Sequence, residues 1–354
     1  MAAHPCVRRH LPRLPTVLVA VVMAVACAAG MAAPPTPGPA LDYAAHALFP
    51  ARWKELGIDT RLIPWEGEGV VLLTTTADLD PATIGVFLAR LDGGWKVYAD
   101  AVGVPPGKRG PAGGKPTIAA VPDGRLTCGI GCGVIGAAGV EVCGFYGNDY
   151  PLVRRDPRAF PHYYFYEIGR NYYVFGNRHS SFITGFAVYM RYVCMDALEC
   201  TDPESDLRRS IEAAEGRHAE GTMDFLRAFT MQGGLTEKQP RLENFAGPSD
   251  QPVLYASAML KLHRECGGDA WAGRFFRGLM RCPEVAADSP QGAMAQCRAW
   301  LVAASAAAGR DLSDVFCDRW RLPASPALRK ALAQIDWQAP DVDPGAILSS
   351  LPAE

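Results

Sequence analysis

Six consecutive residues near the middle of the chain have the spacing of a metal-binding helix: Tyr166, Glu167, Ile168, Gly169, Arg170 and Asn171. On a helix, residues four positions apart share one face, as positions 166 and 170 do here. Two histidines with that spacing hold one zinc ion, and a glutamate beside the first acts as general base on a zinc-bound water. Glu167 occupies the place of that base. The chain therefore keeps the layout of a hydrolytic metal site, but tyrosine and arginine stand where the ligands would be.

The two replacements work against metal binding. Arg170 stays protonated and has no lone pair to give to zinc. It lies three residues beyond Glu167, so we expect a salt bridge between them that fills the metal position and neutralises the would-be base. Tyr166 could bind a metal only as phenolate, which is costly because the ordinary pKa of tyrosine is about 10. We therefore expect no bound metal and a vestigial general base at Glu167.

The segment resembles the central motif of the enhancin and mucin-degrading branch of the gluzincin zinc metallopeptidases, which reads His-Glu-x-Gly-His-Asn. Glu167, Gly169 and Asn171 match this motif. Tyr166 and Arg170 depart from it, since both zinc-ligand histidines are missing. The resemblance implies a metallopeptidase-like fold in a degenerate member of that family.

The resemblance extends beyond the motif. Two runs between residues 306 and 323 look like the end of the helical lobe in these enzymes, and the likeness covers roughly residues 60–325. In the family, a glutamate from the following helix is the third zinc ligand. Thr184 and Tyr189 stand in that window here, and the nearest acid is Asp196. All three ligand positions therefore differ from those of an active zinc peptidase.

A glycine-rich stretch precedes the central helix, at residues 126–141. Because glycine lets another backbone come close, the pattern favours tightly packed strands. These strands form either an ordinary hairpin or a sheet edge that lines a cleft, to which an extended peptide could add as a further strand. In the family it resembles, this stretch is the substrate-side edge strand, so Gly133, Gly136 and Glu141 would line the cleft.

The hydrophobic pattern places these residues on elements. Residues 161–200 have the helical period and predict two apolar helices joined by a polar turn. Before them, β-branched runs predict strands, and a helix that begins at Asp80 is expected to end at Gly93 and Gly94. The predicted strands are residues 61–65, 70–76, 95–98 and 117–121. Further helices are predicted at residues 203–230, 252–266, 269–280, 290–308 and 325–335.

The sequence thus predicts an α+β fold, with a small β-rich N-terminal lobe packed on a larger, mainly α-helical metallopeptidase-like region. The Pro-rich residues at each end are expected to be loose. The predicted parts are a signal peptide at 1–33, a Pro-rich spacer at 34–42, the β-rich lobe at 43–150, the central helical region at 151–245, the C-terminal helical lobe at 246–338 and a loose tail at 339–354.

The first residues have the composition of an export signal. Three arginines precede an apolar run at residues 14–30, and small residues before Pro34 provide a cleavage site. The four residues ending at Cys27 also resemble a bacterial lipoprotein cleavage box, so a lipid on Cys27, simple secretion and an uncleaved anchor are all open. Loss of residues 1–33 would take the formal charge from −2 to about −5, because it removes three arginines and no acid. We expect an exported extracellular or cell-envelope protein, without a basic surface for nucleic acid, whose membrane contact is limited to this segment or its lipid.

Export would permit disulfides, and nine of the eleven cysteines lie beyond the signal segment. An odd number leaves at least one thiol unbridged within the chain. The expected pairings are two bridges among Cys266, Cys282, Cys297 and Cys317, a loop closed by Cys194 and Cys200, and a less obvious pair of Cys128 and Cys132.

Three functions fit these observations. The first is a non-catalytic protein that binds an extracellular peptide or glycoprotein in the former active cleft, lined by Tyr166, Arg170, Asn171, Thr184 and Tyr189 beside the glycine-rich edge. The second is a zinc-dependent or other metal-dependent hydrolase that uses Glu167 with a different ligand set, for which His162, His179 and Asp196 are the candidates. The third is a structural cell-envelope protein, in which the polar residues of the central helix only hold two helices together.

Overall fold

The helices begin at caps that the sequence provides. Asp80 accepts a hydrogen bond from the Thr83 amide at the start of one helix, and a proline follows at its first position. Ser289, Ser325 and Asp343 start three later helices in the same way, each with a proline next. A capping side chain gives an acceptor to an amide that has no partner inside the helix, and proline lacks that amide altogether. The local sequence therefore determines where these four helices begin.

The computed structural model describes residues 34–106, 110, 112–230 and 251–352. The predicted signal segment at 1–33, with Cys27, and the predicted boundary between residues 245 and 246 lie outside the described residues. The strands are β1 Ile63–Glu66, β2 Val71–Thr74, β3 Thr117–Ala120, β4 Gly131–Gly133 and β5 Gly139–Val142. The helices are α1 Pro50–Glu55, α2 Pro81–Val102, α3 Tyr150–Arg155, α4 Tyr163–Asn171, α5 Ile183–Ala197, α6 Ser205–Glu212, α7 Ala214–Glu220, α8 Phe225–Phe229, α9 Gln251–Cys266, α10 Gly268–Leu279, α11 Pro290–Ala308, α12 Pro326–Ala333 and α13 Pro344–Ser350.

The strands form one mixed sheet in the order β1-β2-β3-β5-β4. The three central strands run parallel, and β1 and β4 pair antiparallel at the two edges. The glycine-rich stretch therefore forms the hairpin of β4 and β5, with β4 at one edge of the sheet. Along β5, Val140 and Val142 face the main hydrophobic core, and Glu141 points to the opposite face because side chains alternate along a strand.

The helix that begins at Asp80 is longer than predicted. It runs through Gly93 and Gly94 to Val102, so residues 95–98 are helical and the predicted strand there is wrong. A methyl group on Gly94 would lie 2.5 Å from the ring of Phe165 in α4, which shows that this glycine permits close helix packing rather than ending the helix. The helix stops instead at Gly103, which adopts a left-handed conformation with φ 77°.

The predicted central helix pair is present as α4 and α5, which pack directly on each other. A methyl group on Gly169 would lie 2.5 Å from the Tyr98 hydroxyl and 3.0 Å from the Cα of Ala187 in α5. Tyr98 reaches α4 from α2 and donates a hydrogen bond of 2.8 Å to the Phe165 carbonyl. The position of α4 is therefore fixed from two sides, and its glycine is required by that packing.

The C-terminal tail is not loose throughout. Residues 344–350 form α13, which Asp343 caps by accepting a hydrogen bond from the Gly345 amide. Pro344 is buried and lies against Gly278 of α10. The expectation of a loose tail at 339–354 is wrong for this helix, because a capped proline start and apolar contacts place it against α11 and α10.

The expected disulfides among the C-terminal cysteines are also wrong. Cys128 and Cys132 form a disulfide, whereas Cys266, Cys282, Cys297 and Cys317 are reduced thiols, as are Cys194 and Cys200. Cys282 and Cys297 are buried among the apolar residues of the core, where a cysteine packs as a small hydrophobic side chain.

The described residues after Ala33 belong to one compact unit. Its helices far outnumber its short strands, so the fold class is α+β, as predicted. Within the described ranges, no helix is both long enough and apolar enough to cross a membrane.

Candidate functional site

The carboxylate of Glu167 joins α4 to the edge strand of the sheet. Its Oε2 accepts a hydrogen bond of 2.7 Å from the amide of Gly133 in β4. The side chain is buried, with 8% of its surface exposed. Burial raises the pKa of Glu167 to about 7, although the Gly133 amide and the nearby charge of Arg170 both act to lower that pKa. The helix thus presents a carboxyl group that changes charge near neutral pH.

The guanidinium of Arg170 points to the following helix. Its Nη1 donates a hydrogen bond of 3.1 Å to Thr184 Oγ1 in α5. No ion pair within 4.0 Å links Arg170 to Glu167 in this described region, so the predicted salt bridge is wrong. The reason is that the edge strand supplies a closer partner for the carboxylate. Arg170 and Thr184, two of the residues expected in the former zinc site, thus bond to each other.

Asn171 holds the loop between β4 and β5. Its Nδ2 donates to the carbonyl of Val134 at 2.9 Å, and its Oδ1 accepts from the amide of Gly139 at 3.1 Å. The carbonyl of Asn171 also accepts from the amide of Gly136 at 3.3 Å. Because Asn171 is fully buried, these bonds satisfy its polar atoms. This asparagine therefore positions the glycine-rich hairpin on the end of α4.

Backbone groups of β4 face the outer edge of the sheet. The Cys143 amide donates a hydrogen bond to the Ile130 carbonyl. This bond fixes which opposite residues of β4 and β5 are hydrogen-bonded pairs and which are not. In such a pair every second residue turns its amide and carbonyl away from the partner strand, and here those residues are Gly131 and Gly133. The outward amide of Gly133 is the group that bonds to Glu167. Glu167 therefore occupies a position that a carbonyl of an added strand would take.

Large apolar side chains are exposed beside the same strand. In the described part of the chain, four large apolar residues are markedly exposed, and three of them flank β4. They are Ile130 at 51%, Val134 at 41% and Ile135 at 44%, and the fourth is Val104 at 44%. The sequence shows apolar residues between these glycines but not their exposure, which depends on the position of β4 at the sheet edge.

Besides the fully buried Asn171, two residues expected in the cleft lie elsewhere. Glu141 points to the far face of the sheet, where it accepts hydrogen bonds from the Tyr43 hydroxyl at 3.2 Å and the Leu48 amide at 2.7 Å. Tyr189 is fully buried in the core of the helical region, beside His263 and Phe276. Glu141 points away from α4 because side chains alternate along a strand. Tyr189 points away from it because of the helical period of α5. Neither can contact a molecule bound at the edge of β4.

Tyr166 lies partly exposed at the surface of α4. The guanidinium of Arg191 lies 6.0 Å from the centre of its ring. Arg191 also donates to His162 Nδ1 at 3.3 Å, and the other nitrogen of that ring lies 3.4 Å from Glu204. These groups form a polar cluster one turn before Glu167.

The candidate ligands of an alternative metal site have separate partners. Burial and the charge of Arg191 lower the pKa of His162 to about 4, and burial lowers that of His179 to about 3. His179 lies fully buried against the Tyr255 hydroxyl at 2.8 Å, and Asp196 pairs with Arg208 at 2.7 Å. Over the described ranges, no three His, Cys, Asp or Glu side chains are placed to share a metal ion. The arrangement that the hydrolase hypothesis needs is not formed by these residues.

Comparison with known proteins gives a distant structural likeness. No family model matches the chain, and no curated protein matches it. Two solved structures align with 82% of the chain, one described as a functionally unknown conserved protein mutant and one as a functionally unknown conserved protein, both from Bacillus anthracis str. Ames. The first is 15% identical with a TM-score of 0.48, and the second is 12% identical with a TM-score of 0.47. The chain spans 57% of the length of each of them.

Proposed function

We propose that this protein is an exported, non-catalytic relative of zinc metallopeptidases that binds an extended segment of an extracellular peptide or glycoprotein along the edge of β4. The observation that carries the proposal is the exposure of Ile130, Val134 and Ile135 beside an edge strand. Exposed apolar residues next to a sheet edge are features by which strand addition can recognise a peptide. Main-chain hydrogen bonds would give affinity, and the three apolar side chains would select the peptide.

The glycines of β4 fit this role. A side chain at Gly131 would lie 2.8 Å from Glu167 Cγ, so the strand packs directly on α4 without an intervening side chain. An added peptide would lie against α4 and α5, near the partly exposed Tyr166, Arg170 and Thr184. To bond to Gly133, the peptide would displace the carboxylate of Glu167 from its amide.

The groups at the former ligand positions support a binding role rather than zinc-dependent hydrolysis. Arg170 carries a permanent positive charge next to Glu167, and that charge opposes a divalent ion. Its hydrogen bond to Thr184 occupies the two positions from which zinc would be held. A carboxylate of a peptide C-terminus or a main-chain carbonyl is a better partner for this guanidinium than a metal is.

Export rests on two features of the chain. The basic and apolar start has the composition of a signal segment. The Cys128–Cys132 disulfide fits an oxidising compartment, because such bonds are rare in reducing ones. The disulfide also links the two sides of the turn that leads into β4, which restricts the edge strand before any peptide binds.

Binding can be tested with a fluorescein-labelled peptide of the sequence Lys-Val-Thr-Val-Thr-Val-Lys, whose alternation favours an extended strand. We expect saturable binding by fluorescence anisotropy. Ile135→Asn should weaken it by about tenfold or more, because a buried apolar contact of this size is worth about 1.5–3 kcal/mol. Val104→Asn is the matched control, since Val104 has the same exposed fraction but follows α2 rather than β4 in the chain.

An equal loss in both variants would show that exposed apolar surface binds the peptide without regard to place. Unchanged affinity in Ile135→Asn would contradict the proposed site. Thermal unfolding of both variants checks that neither substitution has changed the fold.

A further inference from the structure

A cavity of about 610 Å³ lies between α10, the C-terminal end of α11 and residues 337–344. Small-molecule sites in proteins usually measure about 300–1,000 Å³, so this cavity is large enough for a sugar-sized ligand. Its lining shares no residue with the edge of β4. An inference about this cavity therefore stands apart from the proposed function.

Three arginines line one wall of the cavity: Arg274, Arg277 and Arg281. Arg274 and Arg277, three residues apart, lie on the same face of α10, Arg281 follows two residues after the end of that helix, and all three are exposed to solvent. The cavity lining contains one acid, Asp341. The wall therefore carries more positive than negative charge, although the whole chain is formally negative at −2.

Two of these arginines bind the surrounding backbone. Arg274 Nε donates to the carbonyl of Ala307 at 2.8 Å, at the end of α11. Arg281 Nη2 donates to the carbonyl of Val342 at 2.8 Å, and its Nε lies 3.9 Å from Asp343. These contacts hold the two arginines in place, and each guanidinium keeps further donors.

Arg277 lies between them in sequence and has a different environment. Among the residues that the structure describes, no hydrogen bond or ion pair is made by its guanidinium. A methyl group on Gly273 would lie 3.1 Å from Arg277 Nη1, so the arginine lies back along the helix over that glycine. Its fork of donors is thus available at the wall of the cavity between two fixed cations.

We propose that this cavity binds the sulfate or phosphate group of a compact, sugar-sized ligand, with Arg277 as the principal contact. A guanidinium matches a tetrahedral oxyanion with two parallel hydrogen bonds, and the neighbouring charges of Arg274 and Arg281 favour a dianion. Trp337 and Pro340 form an apolar part of the wall, which suits the carbon skeleton of a sugar. A free oxyanion and a sugar-borne one share this chemistry, and the test separates them.

The test is calorimetric titration of the full chain with galactose 6-sulfate, with galactose and with inorganic sulfate, each at low and high salt. We expect saturable, salt-sensitive binding of galactose 6-sulfate and none of galactose. Arg277→Gln should weaken the binding by about tenfold or more, because hydrogen bonds to charged groups are worth about 1.5–3 kcal/mol. Arg264→Gln is the matched control, since Arg264 is an exposed arginine of α9 outside the cavity.

Inorganic sulfate that binds as tightly as the sugar sulfate would support the site and assign it to a free oxyanion. Equal binding of galactose, no saturable binding of either sulfate, or affinity unchanged by Arg277→Gln would each overturn the proposal. Because Arg277 is exposed, the variant should fold, and an unchanged melting temperature verifies this. Peptide binding at β4 should be the same in Arg277→Gln and wild type, so the two proposals can fail separately.

Discussion

The charge of the Glu167 side chain is linked to the contact between α4 and β4. Its carboxyl group is buried, and its pKa is raised to about 7 because burial disfavours the charged form. A carboxyl group whose pKa is raised on folding is held protonated by the native state. Its contribution to stability is therefore fully present below its ordinary pKa of 4.5 and is lost as pH rises through about 7.

Glu167→Gln should remove this pH dependence. Glutamine is neutral at every pH and can still accept the hydrogen bond from the Gly133 amide. We expect the variant to gain stability relative to wild type between pH 5 and pH 8, by up to about 3 kcal/mol. Urea unfolding of both proteins at the two pH values measures the difference.

Glu220→Gln is the control, because the exposed side chain of Glu220 in α7 stays hydrated in the folded protein. It should follow wild type at both pH values. If the stability difference between Glu167→Gln and wild type is the same at pH 5 and pH 8, burial does not raise the pKa of the Glu167 carboxyl group in solution.

Part of the site could be predicted from the sequence, and part could not. The helical spacing places Glu167, Arg170 and Asn171 together on α4, as the structure has them. The same spacing permits a salt bridge between Glu167 and Arg170, and that prediction is wrong. The amide that takes the carboxylate comes from Gly133, thirty-four residues earlier. Contacts of that range depend on the sheet order, which local periodicity does not contain.

The identity of residues 166 and 170 should decide whether zinc is held. We predict no stoichiometric zinc in wild-type protein purified without chelator. The combined substitutions Tyr166→His and Arg170→His remove the permanent cation and supply two imidazoles four residues apart. Elemental analysis of both proteins measures the metal content. We expect the variant to gain zinc only if Thr184 leaves room for a water or a third ligand.

Stoichiometric zinc in the wild type would contradict the conclusion that the charge of Arg170 keeps a divalent ion away. A ligand that binds the native state raises the melting temperature. Because we expect no zinc to bind the wild type, added zinc should leave its melting temperature unchanged.

Several glycines in this protein are required by the packing of one element on another. Gly94 meets Phe165, Gly169 meets Tyr98 and α5, and Gly133 meets the backbone of α4. In a sequence, a glycine pair inside a helical pattern resembles a helix end, which is why the pattern predicts a strand at residues 95–98. Whether a glycine ends a helix or lets a neighbour approach depends on a distant partner.

Gly133→Ala tests the packing of β4 on α4. Its methyl group would run into the carbonyl oxygen of Glu167, which belongs to backbone and cannot swing aside. We expect a loss of about 1–3 kcal/mol in the free energy of unfolding, measured with urea. Gly147→Ala is the control, since nothing lies within 4 Å of an added methyl group there.

Equal stability of Gly133→Ala and wild type would mean that β4 can move away from the helix at little cost. The edge strand would then be less ordered before peptide binding than the proposal requires.

The division of the molecule into strands and helices follows from two hydrophobic periods in its sequence, one typical of strands and one typical of helices. Alternating and β-branched runs in the first part become a small sheet, and the 3.6-residue period after residue 150 becomes a set of helices. The class α+β is therefore predictable. The sheet order β1-β2-β3-β5-β4 and the docking of α13 on α11 and α10 are not predictable, because both depend on which surfaces meet in three dimensions. The position of β4 at the edge of the sheet, on which the proposed function depends, belongs to this second group.

The central claim is that an extended peptide adds to β4 as a further strand, and backbone methylation of the peptide tests it most directly. Two versions of Lys-Val-Thr-Val-Thr-Val-Lys are needed, each methylated at alternate amide nitrogens, so that each has one edge unable to donate hydrogen bonds. An added strand bonds to β4 through one edge only. We therefore predict that one version binds wild-type protein about as tightly as the parent peptide and that the other loses binding. Equal affinity of both versions, or equal loss in both, would contradict strand addition at β4.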